Sequence, residues 1–269
     1  KVAEQLVDTL IEAGVRRIYA VTGDSLNEVN EAVRQNEAMK WIHVRHEETG
    51  AYAAGAEAQL TGLPGCCAGS SGPGHVHLIN GLYDAHRSGA PVIAIASTIP
   101  TGEFGTEYFQ ETNTVKLFND CSFYNEVATT PEQFPRMLQS ALQTATTRKG
   151  VAVVGLPGDV AKKPAVKVES SEQIYPLASS VCPAEEDLIR LAGMLNHYER
   201  ITLFCGIGCK GAHEEIIRMS ETLNAPVAYT FKGKMEVQYD NPYEVGMTGL
   251  LGMPSGYYMS LINLRRCRR

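Results

Sequence analysis

The chain has 269 residues, 44% of them hydrophobic and 20% charged, which admits one large or two medium domains. Its formal net charge of −6 argues against a nucleic-acid partner, whose phosphates need a basic face. No apolar run approaches the ~20 residues of a bilayer span, and seven cysteines with neither a CxxC pair nor disulfide-like spacing indicate reduced thiols in a cytoplasmic protein.

No cationic-then-apolar leader opens the chain, and a first residue Lys1 in place of Met suggests a trimmed start. A helical pattern over residues 2–13 ends at Gly14, a natural C′ residue. "RRIYAVTG" reads as a strand closing on Gly23, and Ser25 is placed to cap the helix "LNEVNEAVRQ". "WIHVR" is the next strand, and an Ala- and Gly-rich helix follows with Glu47 and Glu48 in its first turn. "GCCAG" is a buried strand running into "SSGPG", followed by a helix over 75–87 and the strand 91–97. A strand at 123–127, a helix at 131–147 and the strand "GVAVVGLP" complete an alternation that predicts an α/β fold. Its parallel sheet should be covered by helices on both faces.

That pattern places a first domain over 1–162 and a Pro- and Ser-rich linker over 163–183. A second, incomplete α/β domain follows over 184–269, with a helix at 185–197, the strand "RITLFCG", a Gly-rich turn, a helix at 212–223 and the strand "APVAYT". Beyond Lys234 the periodicity fades into "NPYEVGMTGLLGMPSGYYM", a Gly-rich apolar stretch of the kind that lines ligands.

Three stretches carry candidate chemistry. Glu47 is either a helix cap or a buried carboxyl with a raised pKa that shares a proton with a ligand nitrogen, and residue types alone leave both open. "GSSGPGH" lies where ligands bind in open parallel sheets, beyond the strands' carboxyl ends. His75, His77 and His86 nearby are spaced wrongly for a metal triad and read as hydrogen-bonded packing residues. "GIGCKG" (206–211) is a GxGxxG between a strand and a helix, the setting of a diphosphate site or of a plain tight turn. The acidic residue that an NAD site needs about 20 positions on is replaced by "YTFKGK".

Together, "VTGDSLN", "RHEETGAYAAGAEAQLTG", "AGSSGPGHVHLINGLYDAHRSGAPVIAIA", "YFQE" and "GVAVVGLPGDV" resemble the pyrimidine-binding domain of thiamine-diphosphate enzymes. The likeness is strongest to pyruvate oxidase and the quinone-linked pyruvate dehydrogenase, with acetolactate synthase the nearest competitor. The resemblance implies that Glu47 hydrogen-bonds the aminopyrimidine ring and so promotes loss of the thiazolium C2 proton. A polar-poor helix behind it would keep water from the reacting carbon. Gly23, Asp24 and Ser25 match the first loop beside that cofactor, and Gly72, Pro73 and Gly74 the loop on its other side. Phe109 and Gln110 match positions on the substrate side, where pyruvate would bind. In such relatives the middle domain carries FAD, whose contacts match Gly206, Gly208, Gly211, Lys232, Gly233, Thr248 and Gly249. A flavin would also account for the missing ribose acid.

The family's other cofactor domain holds Mg²⁺ and the diphosphate through a GDG…N motif. The Gly-Asp pairs here, 23–24 and 158–159, are not followed by Gly, so no metal ligand is assigned. The ending "SLINLRRCRR" replaces an expected apolar strand, which suggests a chain cut short, by a frame shift or otherwise. The alternative is a basic tail for membrane lipid or an acidic partner. The resemblance implies a homo-oligomer with sites shared between subunits, and no turnover by this chain alone. The competing class is a non-catalytic binding protein derived from the family.

Overall fold

The computed structural model describes residues 1–166 and 182–258, which fall into two units. The linker expected over 163–183 and the basic tail therefore lie largely outside the described residues.

In the first unit six strands form one parallel sheet: β1 (Arg17–Ala20), β2 (Lys40–His43), β3 (Gly65–Gly69), β4 (Val92–Thr98), β5 (Tyr124–Val127) and β6 (Val151–Pro157). Their order is β2-β1-β3-β4-β6-β5, and every neighbouring pair is parallel. Strands β3, β4 and β6 are buried along their whole length, which is why they read as unbroken apolar runs. Their alternate residues serve opposite faces. Cys66, Ile93, Ile95, Ala152 and Val154 join one core with α1 (Val2–Glu12), α2 (Asn27–Arg34) and α7 (Phe134–Arg148). Cys67, Val92, Ala94, Val151 and Val153 join the other with α3 (Glu47–Thr61) and α5 (Ile79–Ser88). The expected fold, a parallel sheet covered on both faces, is what forms. Because the chain passes from β2 over β1 to β3, the order reverses between β1 and β3, where open sheets leave a crevice at their carboxyl ends.

Several boundaries differ from the sequence reading. Ser25 does not cap a helix: it lies within a 3₁₀ turn, Asp24–Leu26, and Leu26 takes the N-cap place of α2. The helix expected over 75–87 is divided into α4 (Pro73–Val76) and α5, with His77 and Leu78 at the join. Between the sheet's later strands run the short α6 (Thr114–Leu117) and, after β6, α8 (Gly158–Lys162).

The second unit has α9 (Glu185–His197), β7 (Leu203–Cys205), α10 (His213–Leu223), β8 (Val227–Tyr229), α11 (Lys234–Val237) and β9 (Glu244–Met247). The strands form a parallel sheet in the order β7-β8-β9, around a small core of Cys205, Ile216, Val227, Tyr229 and Val237. Tyr229 donates from its hydroxyl to Glu244 Oε1 at 2.6 Å, tying β8 to β9. Helix α9 buries none of its residues. No helix among the described residues is long and apolar enough to cross a membrane.

Candidate functional site

Loops from four strands meet at the carboxyl edge of the first sheet. Gly23, after β1, has its absent Cβ 2.5 Å from the Ser70 Cβ after β3, so a side chain here would push the two loops apart. Ser25 ties its own loop to the loop after β3 and to the end of β4. Its hydroxyl accepts from the Ser71 N–H at 2.9 Å, and its carbonyl accepts from Ser97 Oγ at 2.7 Å. Asp24 opens the turn beside them. Gly72 has φ +67°, a left-handed conformation that glycine adopts without a steric penalty, and Pro73 starts α4. This turn brings Gly74 against Ser70 and Glu47: a Cβ on Gly74 would lie 3.4 Å from Glu47 Oε1.

Glu47 is not the N-cap residue of α3, although it keeps the first-turn place that favours the helix dipole. His46 is the N-cap of α3, and its Nδ1 accepts from the Glu48 N–H at 3.3 Å. Glu47 follows as the first helical residue and is only 8% exposed, at the positive end of the helix dipole. Its Oε2 accepts from His77 Nδ1 at 3.0 Å, while Glu48 points elsewhere, accepting from Asn80 Nδ2 at 2.9 Å. The His46 ring stacks on the His77 ring, with centroids 4.4 Å apart. His77 is thus not merely a packing residue, and no signal in the sequence announces a contact across 30 residues.

His75 does behave as a packing histidine. It is wholly buried; Nδ1 donates to the Ser97 carbonyl at 2.8 Å and Nε2 accepts from Thr112 Oγ1 at 2.5 Å. Both nitrogens are used by the neutral ring, and burial pushes its pKa down.

Gln110 belongs to the same cluster. Its backbone is left-handed, φ +64°, its Oε1 accepts from Ser71 Oγ at 3.2 Å, and its Cβ lies 2.7 Å from where a Gly72 Cβ would be. Phe109 does not join it and is 78% exposed. A cavity of about 700 Å³ opens at the ends of β4 and β5, lined among others by Thr98, Tyr108, Glu111 and Val127; Glu47 is not in its wall. The second Gly-Asp pair has a structural task. Asp159 accepts from the Thr101 N–H at 3.0 Å and from Thr101 Oγ1 at 2.8 Å. Among the described residues the His, Cys, Asp and Glu side chains that converge are two histidines and one glutamate, not the all-oxygen donors that Mg²⁺ prefers.

In the second unit the residues singled out for a flavin gather at one edge. Gly206 follows β7, Lys232 and Gly233 follow β8, and Thr248 and Gly249 follow β9. The Thr230 N–H donates to the Cys205 carbonyl at 2.9 Å and the Thr248 N–H to the Tyr229 carbonyl at 2.8 Å, drawing the three turns into register. Gly233 packs so tightly that its Cβ would lie 2.7 Å from the Cys205 oxygen. Gly208, Gly211 and Gly249 instead face open space, and a Cβ on each would meet nothing within 4 Å. A rim of uncovered glycine backbone admits close approach of a diphosphate. The "GIGCKG" glycines do not open a helix directly, since a 3₁₀ turn (Ile207–Cys209) precedes α10.

Cys66, Cys67, Cys121 and Cys205 are buried free thiols, and burial pushes the Cys67 pKa up to about 12 and that of Cys121 up to about 11.

Residues 1–117 match the N-terminal TPP binding domain of thiamine pyrophosphate enzymes, and residues 188–260 match the central domain of the same enzymes. The chain is 51% identical over 262 residues to an uncharacterized 42.6 kDa protein in the isoamylase 3′ region of Pseudomonas amyloderamosa, covering 97% of this chain and 66% of that protein. It is 37% identical to the putative thiamine pyrophosphate-containing protein YdaP of Bacillus subtilis, covering 96% of this chain and 45% of that protein. Similarity extends to pyruvate oxidase of Lactiplantibacillus plantarum, 36% identical over 82% of this chain and 37% of that enzyme. Acetolactate synthase of Arabidopsis thaliana is 30% identical over 94% of this chain and 38% of its own length. The chain thus spans from over a third to about two-thirds of these relatives. With an N-terminal and a central domain of one kind in the order those enzymes use, the chain belongs to the thiamine pyrophosphate enzyme family.

Proposed function

We propose that this chain supplies the pyrimidine side of a thiamine-diphosphate site and the flavin-binding part of a pyruvate oxidase-like enzyme. The observation that carries the reading is Glu47: a buried carboxylate at the start of α3, facing the backbone of the Gly72–Gly74 turn across the β1/β3 switch point. A thiamine ring bound there would supply an electron sink for decarboxylation of a 2-oxo acid such as pyruvate. Glu47 would hydrogen-bond the ring and hold a proton at one of its nitrogens, with His77 fixing the carboxylate rotamer from the far side. Gly23, Gly72 and Gly74 let the flanking loops approach without side chains at those positions, and Gln110 closes the substrate side. The open glycine edge of the second sheet fits the diphosphate of FAD. The ligands for Mg²⁺ and the cofactor's diphosphate would come from a domain outside these 269 residues, in an oligomer whose sites lie between subunits.

The test is made in a protein that joins these residues to a diphosphate-binding domain. There, Glu47→Gln is expected to lower pyruvate-dependent dye reduction by about 10²-fold or more while leaving FAD bound. Full activity in that variant overturns the role of Glu47. The product separates the two enzyme readings: acetate or acetyl phosphate supports the oxidase, and acetolactate replaces it with the carboligase. Absence of any affinity for thiamine diphosphate would instead favour a non-catalytic binding protein.

A further inference from the structure

His46, Glu47 and His77 converge from two elements. The first two are the N-cap and first residue of α3, and the third sits at the join of α4 and α5. One ligand atom from each lies within 4.8 Å of the other two. Among the described residues this is the group of His, Cys, Asp or Glu side chains whose donor atoms meet in that way. Two ligands on a four-coordinate Zn²⁺, with bonds of about 2.0–2.1 Å, sit about 3.3 Å apart. The 3.0 Å between Glu47 Oε2 and His77 Nδ1 is close to that spacing already. The two imidazoles lie side by side, 27° from parallel, and a His46 nitrogen is within 4.8 Å of the other two donors; ligation through its Nδ1 would take the place of the bond from the Glu48 N–H.

The surroundings suit a cation that keeps an open position. Glu47 is buried and held at its helix terminus, whereas the His46 and His77 side chains are 47% and 43% exposed and leave a way in from solvent. Two nitrogens and one carboxylate make the donor set of zinc-class cations, and Mg²⁺ or Ca²⁺ would want oxygen throughout. We infer that His46, Glu47 and His77 form a binding site for a divalent transition cation of the zinc class, with its fourth position left to water. The bound cation replaces the proton on His77 Nδ1 and takes the carboxylate of Glu47. A consequence, which rests on the function proposed above, is that the cation and thiamine diphosphate compete for Glu47.

The test begins with the untagged chain, titrated with Zn²⁺ against a chromophoric chelator and with Co²⁺ by visible absorption. One ion per chain is expected, with a Co²⁺ spectrum of nitrogen and oxygen ligation. Loss of an outer-shell partner alone weakens metal sites by on the order of 10-fold, so His46→Ala and His77→Ala should each cost at least that. His46→Gln and His77→Gln, which preserve side-chain bulk, should behave alike; far-UV circular dichroism and thermal melting show that the fold is kept. Binding unchanged in these variants overturns the site, as does no binding to the parent chain. A thiolate charge-transfer band would also overturn it, by moving the ion to cysteine ligands. In the protein joined to a diphosphate-binding domain, Zn²⁺ should raise the thiamine diphosphate concentration needed for half-saturation. If Zn²⁺ binds through His46 and His77 but leaves that concentration unchanged, the cation site stands and the role given to Glu47 falls.

Discussion

At the scale of single residues, chemistry here depends on which contacts cross between loops. Glu47 could be read as a carboxylate in a first helical turn, but its burial and its pairing with His77 depend on two helices that meet only in the folded chain. Gln110 and Gly72 were marked by the family likeness, and the structure adds that both have left-handed backbone and are packed together. The same scale sets a pH dependence. His86 packs its ring 4.3 Å from that of Phe123, its Nδ1 is buried without a hydrogen-bond partner, and burial first, then Arg87, lowers its pKa from the usual 6.5. A histidine with a depressed folded pKa binds fewer protons when folded than unfolded. Stability is therefore full above about pH 6.5 and falls as pH drops from there toward the folded pKa. His75, buried and neutral, acts in the same direction. Urea midpoints measured from about pH 8 to about pH 5 should decline through that window, and His86→Gln should flatten the slope by at most one proton's worth. An unchanged slope in the variant would mean that His86 titrates alike in both states.

Among the elements, α3 shows what composition can and cannot announce. Its Ala and Gly content signals close packing, and the partners prove to be β3 on one side and α5 on the other. The family likeness ascribes the lack of polar groups to a dry active site, but packing alone accounts for it. Ala51, Ala54 and Ala58 are fully or almost fully buried, and the absent Cβ of Gly55 lies 3.2 Å from that of Ala85. The tightest point of the crossing with α5 is Gly81, whose Cβ would fall 2.6 Å from Ala51 Cβ and 2.7 Å from the Tyr52 backbone nitrogen. Gly→Ala inside a helix normally gains up to about 1 kcal/mol. Overpacking against backbone costs about 1–3 kcal/mol, and here it should win. Gly81→Ala is thus expected to lower the urea midpoint and to part α3 from α5, lengthening the Glu47–His77 contact. A raised midpoint would show that the crossing has slack. Strands were legible wherever both faces are buried, as in β3, β4 and β6, because their apolar runs have no alternative. The strand β9 was not read, since "EVGM" carries a glycine at φ +114° and pairs with β8 through a register shift. The break between α4 and α5 was missed because "GHVHLIN" holds no proline or glycine at the join, and tertiary contacts of His75 and His77 set it.

Taken as a whole, the chain places unequal cores in its two units. In the first, both faces of a six-stranded sheet are covered, and β4 pairs with β6 over seven residues. In the second, the described buried core is five residues, β7 and β8 pair over three, and Leu188, Ile189, Leu191 and Met194 of α9 remain exposed. Apolar burial contributes about 25 cal/mol per Å², so the second unit has far less to set against its chain entropy. Two unfolding steps are expected, the second unit first. Amide exchange should be slowest in β4 and β6 and much faster in β7, β8 and β9. The order also tests the flavin reading. A ligand that binds only the folded second unit stabilises it by about 2.7 kcal/mol at a hundred times its Kd. Added FAD should therefore move the early step to higher urea and slow exchange at the ends of β7, β8 and β9, while leaving the later step in place. One cooperative transition with even protection would refute the division into unequal cores. A shift confined to the later step would keep that division and remove FAD from the glycine edge of the second sheet.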